Sequence, residues 1–155
     1  MKRFLAIIPF LSFINADLIQ PANYSALYHT YVQFEWEQIP TAERYQLMAS
    51  RNDDFTDVVI NATDATLIYI ARDNIEWSTQ YYWRVRKHNF NGDLGTWSDV
   101  YTFTLAEQKS NVSTTISDET QLADGVTIFG SFFNYYSAVI DRNGNEIWNS
   151  GIEDL

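Results

Sequence analysis

Apolar and polar residues alternate with a period of two over much of this chain, which is the pattern of β-strands with one buried face. The pattern is clearest in three segments, whose apolar members are Val32, Phe34 and Trp36, then Tyr45, Leu47 and Ala49, and then Tyr81, Trp83 and Val85. Residues 58–60 and 66–70 are β-branched runs, and residues 97–104 predict a last strand. No segment after the first sixteen residues has the 3.6-residue period of a helix.

Turn residues separate these predicted strands. Pro40 ends the first alternating segment, Asn52-Asp53-Asp54 follows the second, and residues 89–95 are rich in Asn and Gly. Roughly seven short strands in about ninety residues are typical of an immunoglobulin-like sandwich. The predicted fold class is therefore all-β, with a sandwich over residues 17–105.

Several strings in this region resemble a bacterial-style fibronectin type III domain. They are Val32-x-Phe34-x-Trp36, Tyr45-x-Leu47, the run Tyr81-Tyr82-Trp83-Arg84-Val85-Arg86, and Gly95-Thr96-Trp97-Ser98 with Phe103. The resemblance covers about residues 18–105. It implies that Trp36 is the core tryptophan and that the hydroxyl of Tyr81 bonds back to upstream backbone, since a buried tyrosine needs a partner. The expected structural core residues are Trp36, Tyr45, Tyr81, Trp83, Val85 and Trp97.

The other face of the strand at 80–86 has the candidate surface contacts of the domain, Tyr82, Arg84 and Arg86. They could form a stacking platform for sugar rings, because aromatic side chains bind flat apolar faces. The simpler interpretation is cross-strand pairing on a solvated sheet face. Arg84 or Arg86 could also stack on Trp97 as a cation–π contact.

The first sixteen residues have the order of a secretory signal peptide. Lys2 and Arg3 precede an apolar run at 4–13, and Ala16 is a small residue at the predicted cleavage site. The apolar run is shorter than the ~20 residues that span a bilayer. We therefore expect a secreted protein, periplasmic, extracellular or on the cell surface, with no membrane span. If the source is eukaryotic, Asn23, Asn61 and Asn111 are candidate glycosylation sites within Asn-x-Ser/Thr triplets.

Composition narrows the classes of partner. The formal net charge of −10 disfavours nucleic acid and anionic membranes, which attract basic proteins. The chain has no cysteine and two histidines, so thiolate chemistry is absent and a multi-histidine metal site is disfavoured. No catalytic, cofactor-binding or metal site is predicted within the chain.

The C-terminal third differs in pattern from the sandwich. Residues 106–121 are polar and Ser/Thr-rich, which is typical of a linker, and residues 122–155 contain apolar runs around Asn143-Gly144, a strong hairpin signal. Asp141, Asn143 and Asn145 also suggest calcium, but their spacing departs from a calcium loop, so a turn is predicted. Two or three strands cannot bury a core alone.

Residues 122–150 resemble the opening of the arylsulfotransferase-like β-propeller family. The similarity lies in Gly125-Val126-Thr127-Ile128-Phe129 and in Ala138-Val139-Ile140-Asp141-x-x-Gly144-x-x-Ile147-Trp148. It implies that the C-terminal unit is the first part of a propeller blade. It also implies a parent enzyme that transfers sulfuryl groups between aryl esters and phenols, whose catalytic histidine and arginines would lie beyond residue 155.

These observations predict a secreted accessory, binding or spacer module, the N-terminal part of a larger extracellular protein. Its partners would be downstream domains of the same chain and a protein or carbohydrate ligand. One alternative is the N-terminal fragment of an arylsulfotransferase-like enzyme. A second is a stand-alone surface adhesin, in which the C-terminal unit completes the sandwich.

Overall fold

A computed structural model describes residues 16–110, 119–121, 123–131 and 136–151 of the 155-residue chain. Residues 1–15 of the predicted signal peptide lie outside the described residues. Ala16 is buried against the sandwich core. Within the described part of the chain, no helix has the length and hydropathy needed to cross a membrane.

Eight strands form a two-sheet sandwich. They are β1 (Leu18–Gln20), β2 (Ser25–Leu27), β3 (Val32–Trp36), β4 (Ala42–Ser50), β5 (Val58–Asp64), β6 (Ile68–Ala71), β7 (Gln80–Asn89) and β8 (Tyr101–Leu105). One sheet has the order β1-β3-β6 and the other β2-β8-β7-β4-β5. All pairs are antiparallel except β2 with β8. The predicted all-β, fibronectin type III-like sandwich is confirmed.

The core lies between the sheets, on the residues that the period-two pattern selects. Phe34 of β3 contacts Trp83 of β7 edge-to-face, with ring centroids 5.2 Å apart, and Phe103 of β8 at 5.8 Å. Trp36 lies 5.6 Å from Tyr45. Burial of each such ring contributes roughly 1.5–3 kcal/mol, and edge-to-face pairs add about 0.5–1.5 kcal/mol.

Two buried tyrosines attach loops to this core. The hydroxyl of Tyr81 accepts a hydrogen bond from the backbone N–H of Glu76 at 2.9 Å. The hydroxyl of Tyr45 accepts one from the N–H of Ile39 at 3.0 Å. The bond to Tyr81 is the tyrosine corner of immunoglobulin-like domains, and it supplies the partner that a buried phenol requires.

The last strand of the sandwich is shorter than the sequence pattern predicts. β8 begins at Tyr101, whereas residues 97–100 are irregular. Ser98 replaces a strand partner in this segment: its N–H donates to the carbonyl of Val85 at 2.8 Å, and its hydroxyl accepts from the N–H of Val85 at 3.0 Å. The hydroxyl of Ser98 therefore accepts from the backbone N–H of Val85 in β7, where a backbone carbonyl of a paired strand was expected.

The C-terminal residues form a three-stranded antiparallel meander, with β9 (Thr127–Ser131), β10 (Tyr136–Ile140) and β11 (Glu146–Asn149) in the order β11-β10-β9. A single-turn 3₁₀ helix, Glu119–Gln121, precedes it. The predicted turn at Asn143-Gly144 joins β10 to β11, and Gly144 has the positive φ of 86° that favours glycine. The described part of this unit is one open sheet.

Candidate functional site

The predicted surface contacts lie together on the outer face of the five-stranded sheet. Strands β5, β4 and β7 are neighbours there, and their registers define the outward positions. These positions are Asn61 and Thr63 on β5, Arg44, Gln46 and Met48 on β4, and Gln80, Tyr82, Arg84, Arg86 and His88 on β7. We call this surface the cationic face. None of its outward positions, all of which are described, is Asp or Glu, although the whole protein has a net charge of −10.

Four side chains of this face form an alternating stack of cations and aromatic rings. The guanidinium carbon of Arg84 lies 3.7 Å from the ring centroid of Phe55 and 4.3 Å from that of Trp97. The guanidinium carbon of Arg86 lies 4.3 Å from the ring of Trp97. Each contact contributes about 0.5–1 kcal/mol at an exposed site, and more where water is excluded. We call these four residues the arginine stack.

Trp97 belongs to this stack and not to the core, which corrects the prediction from the sequence. Its side chain is half-buried on the outer face. Gly95 sets its position, because a Cβ there would lie 2.8 Å from Cγ of Lys87. The segment therefore runs close along β7 and places the indole between the two arginines. The other five predicted core residues, Trp36, Tyr45, Tyr81, Trp83 and Val85, are each at most 3% exposed.

Phe55 could not be assigned to the stack from the sequence. It lies in the β4–β5 loop with a φ of 59°, outside any alternating segment. The loop is held by the side chain of Asn52, whose Oδ1 accepts from the backbone N–H groups of Thr56 and Asp57 at 3.1 Å. The string Asn52-Asp53-Asp54 indicated a turn. No local signal in the sequence indicates against which strand the loop packs.

Hydrogen bonds fix the second arginine further. Nε of Arg86 donates to Oε1 of Gln46 at 2.8 Å, and Nε2 of Gln46 donates to Oδ1 of Asn61 at 2.7 Å. Burial lowers the pKa of Arg84, and the positive charge of Arg86 lowers it further. Arginine nevertheless stays protonated at any physiological pH. Both cations are therefore permanent and held in place.

The three candidate glycosylation sites differ in setting. Asn61 is exposed on the cationic face. Asn23 is exposed, and its Oδ1 accepts from the backbone N–H of Thr102 at 3.0 Å. Asn111 lies outside the described residues.

A second assembly of polar groups joins the meander to the sandwich. The carboxylate of Glu146 is 3% exposed and accepts three hydrogen bonds. The donors are the backbone N–H of Lys109 at 3.0 Å, the backbone N–H of Ser110 at 2.5 Å, and Nδ2 of Asn149 at 2.6 Å. The carbonyl of Glu146 accepts from Nε1 of Trp77 at 2.9 Å. These five residues are called the junction.

The junction continues along the backbone of β11. The N–H of Thr30 donates to the carbonyl of Ile147, and the N–H of Asn149 donates to the carbonyl of Tyr28, both at 3.0 Å. Gly151 packs closely on the same segment, because a Cβ there would lie 2.8 Å from Cε1 of Tyr28. The meander is therefore docked on the sandwich by bonds from both backbone and side chains.

The pKa of Glu146 reflects this setting. Burial is the largest influence and by itself raises the pKa, but hydrogen bonds from Ser110, Lys109 and Asn149 together outweigh it and hold the pKa below its ordinary value. The group is therefore ionised at neutral pH. The first five residues of the predicted linker, 106–110, are consequently held in place, with Ser110 at 2% exposure.

An open cleft of about 700 Å³ lies between the sandwich and the meander, near Tyr31, Arg72 and Trp77. The adjacent carboxylate of Asp141 is committed to its own turn: Oδ1 accepts from the N–H groups of Asn143 at 2.9 Å and Asn145 at 2.8 Å. Burial raises the pKa of Asp141, but hydrogen bonds from the side chain and backbone of Asn145 and from the backbone of Asn143 and Gly144 outweigh it and lower the pKa. Within the described ranges, no three His, Cys, Asp or Glu side chains form a group that could hold a metal ion.

Comparisons with known proteins give a likeness in structure and none in sequence. No family model matches the chain, and no curated protein matches it. Among solved structures, a Fn3-like protein from Clostridium thermocellum is similar over 57% of this chain and 93% of its own length, with 15% sequence identity and a TM-score of 0.45. The comparisons do not support the resemblance to a β-propeller.

Proposed function

We propose that this protein is a secreted accessory module that presents its C-terminal β-unit in a fixed orientation and offers the cationic face to a ligand. The observation that supports the spacer role best is the buried carboxylate of Glu146. Three donors from the sandwich side and from the meander converge on it.

The chemistry of that contact argues for a rigid connection. Contacts between independent domains of one chain are usually polar and solvated, so that relative motion is the default. A buried carboxylate is different, because separating the meander would remove two charge-assisted hydrogen bonds at once, those from the backbone N–H groups of Lys109 and Ser110. Each of these contributes roughly 1.5–3 kcal/mol.

Export and a larger parent protein are further parts of the proposal. The charged and apolar order of residues 1–16 supports export. The outer strand β9 supports a covering partner, because Val126 and Ile128 are 55% and 71% exposed beside a strand edge that pairs with no other described strand. A downstream domain of the same chain is the partner that we propose for this edge.

Nuclear magnetic resonance relaxation tests the spacer role. In the full chain without residues 1–16, the amides of β7 and β10 should report the same rotational correlation time. A clearly shorter correlation time for β10 would contradict a rigid spacer. Export is tested separately by expressing the whole chain in a secreting host and sequencing the N-terminus of the exported product, which should begin at Asp17.

The N-terminal part of a sulfuryl-transferring enzyme remains the alternative. The observation that favours it is the antiparallel meander with its hairpin at Asn143-Gly144, which follows the element order of the resemblance. Reading the gene beyond residue 155 decides the matter, because blade repeats recur every ~40–50 residues. For a stand-alone adhesin, the gene would end without such repeats.

A further inference from the structure

We propose that the cationic face binds an acidic polysaccharide, whose sulfate or carboxylate groups contact the edges of the Arg84 and Arg86 guanidinium groups. The inference depends on the proposed extracellular role only for the class of ligand. The geometry that supports it is the placement of two fixed guanidinium groups among outward strand positions that include no Asp or Glu, although Glu43 pairs with Arg44 of the same face at 3.3 Å. The net charge of −10 repels anionic polymers at long range, so binding depends on this local face.

The first observation is the missing counter-charge. Four other cations of the described chain pair with acidic side chains, as Arg51 does with Glu76 at 2.8 Å and Arg142 with Asp124 at 3.1 Å. Arg72 and Lys87 form no such pair among the described residues, but they do not lie side by side as Arg84 and Arg86 do. Neither Arg84 nor Arg86 has a carboxylate within ion-pair distance among the described residues. Two like charges at alternate positions of one strand repel each other, and an anion between or above them would relieve that repulsion.

The second observation is an unused donor. Nε of Arg84 is buried and has no hydrogen-bond partner among the described residues. A buried donor without a partner costs about 1–3 kcal/mol. Because Nε is covered, an anion would contact the terminal nitrogens of the same guanidinium and partly offset this cost through its charge. Charge-assisted hydrogen bonds from arginine to oxyanions are about twice as strong as neutral ones.

The third observation is preorganisation. Both faces of the Arg84 guanidinium lie against rings, and Arg86 is held by Trp97 and by the amide of Gln46. Little side-chain entropy remains to be lost when a ligand binds, which favours affinity. The stacked rings cover the guanidinium planes, Nη2 of Arg84 lies 3.7 Å from Sδ of Met48, and Nε of Arg86 is bonded to Gln46. The remaining terminal nitrogens are therefore the contact groups. The face therefore suits charged groups better than the bare ring faces of a neutral sugar.

The surroundings favour a polysaccharide over an acidic peptide. β7 is a central strand between β8 and β4, so its backbone cannot pair with an added peptide strand. The neighbouring outward side chains are amides and hydroxyls, which can hydrogen-bond sugar hydroxyls. They are Gln80 and Thr104 on one side, and Asn61 and Thr63 on the other.

Isothermal titration calorimetry with four defined polymers tests the proposal on the chain without residues 1–16. Polygalacturonate supplies carboxylates, dextran sulfate supplies sulfates, neutral dextran supplies neither, and poly-glutamate is the acidic peptide. We expect binding to at least one acidic polysaccharide and none to neutral dextran. The acidic polymer that binds with the lower Kd identifies whether the face prefers carboxylate or sulfate. Absence of binding to both, or equal binding to poly-glutamate, would overturn the assignment.

Matched variants locate the site. Arg86→Gln should weaken binding at least tenfold, and Arg84→Gln should do so as well if it folds. Arg72→Gln removes the same charge from an exposed position beside the cleft and should change affinity less than twofold. Arg86→Gln is checked for native circular dichroism and an unchanged melting transition. An equal loss of affinity in Arg72→Gln would show that the polymer is attracted by positive charge anywhere on the protein, and it would refute the proposed site. A failed export test with intact binding would reject only the extracellular role.

Discussion

Replacing Glu146 by glutamine should loosen the meander without unfolding the sandwich. The amide keeps the size of the carboxylate but has one oxygen, so it cannot accept from both backbone donors that now meet Oε1 and Oε2. The N–H of Ser110, in a residue that is 2% exposed, would lose its acceptor and could not reach bulk water. We therefore expect a loss of roughly 2 kcal/mol, within the range of about 1–3 kcal/mol for an unsatisfied buried donor.

Hydrogen exchange measures this loss at the right place. The amides of Thr30 and Asn149 close the contact between β11 and the sandwich, so they exchange when the meander opens. A change of 2 kcal/mol raises the open population about 30-fold, since 1.4 kcal/mol corresponds to a factor of ten. Their exchange rates should rise by that factor, whereas the amide of Trp83 in the sandwich core should be unaffected.

The control is Glu107→Gln, which changes the same chemistry at a side chain that is 79% exposed and forms a 3.5 Å pair with Lys109. Surface pairs of this kind contribute about 0–1 kcal/mol. The control should leave exchange at Thr30 within about threefold of the wild type. Exchange in Glu146→Gln that is no faster than in this control would refute the role of the carboxylate.

Of three further predictions, two concern the free energy of unfolding and the third concerns pH. Tyr81→Phe removes the tyrosine-corner hydrogen bond and should lower the free energy of unfolding by about 0.5–1.5 kcal/mol in urea; Tyr24→Phe, at an 84% exposed position, is the control and should have no effect. Trp97→Leu removes two cation–π contacts and should cost about 1–2 kcal/mol, whereas Phe90→Leu at a 78% exposed ring should cost far less. A Trp97→Leu loss no larger than the Phe90→Leu loss would contradict the energetic role of the stack.

The third of these predictions is a dependence on pH. The folded-state pKa of Glu146 is depressed, so its contribution is fully present above the ordinary glutamate pKa of about 4.3 and is lost as pH falls through the folded value. Exchange protection at the meander contact should fall in this acidic window in the wild type. The Glu146→Gln variant should lack that step, and an identical step in both would assign it to another group.

The chemical types along the chain were enough to predict the sandwich. Alternation at Val32, Phe34 and Trp36 identifies buried positions because successive side chains of a strand point to opposite faces. The tyrosine corner at Tyr81 follows from the family resemblance and from the need of a buried phenol for a partner. The hairpin at Asn143-Gly144 follows from the backbone freedom of glycine. All of these rules are local.

The sequence alone thus determined the β class, the buried faces and the turns, because each depends on residues close together in the chain. The tertiary structure decided which residues from different strands and loops come into contact. Trp97 belongs to an outer stack because a loop residue, Phe55, and two arginines of β7 converge there. Glu146 resembles an ordinary hairpin residue until folding brings its carboxylate to the backbone of Ser110, 36 positions away. Such contacts depend on strand register and on docking of one sheet against another, which no short stretch of sequence specifies.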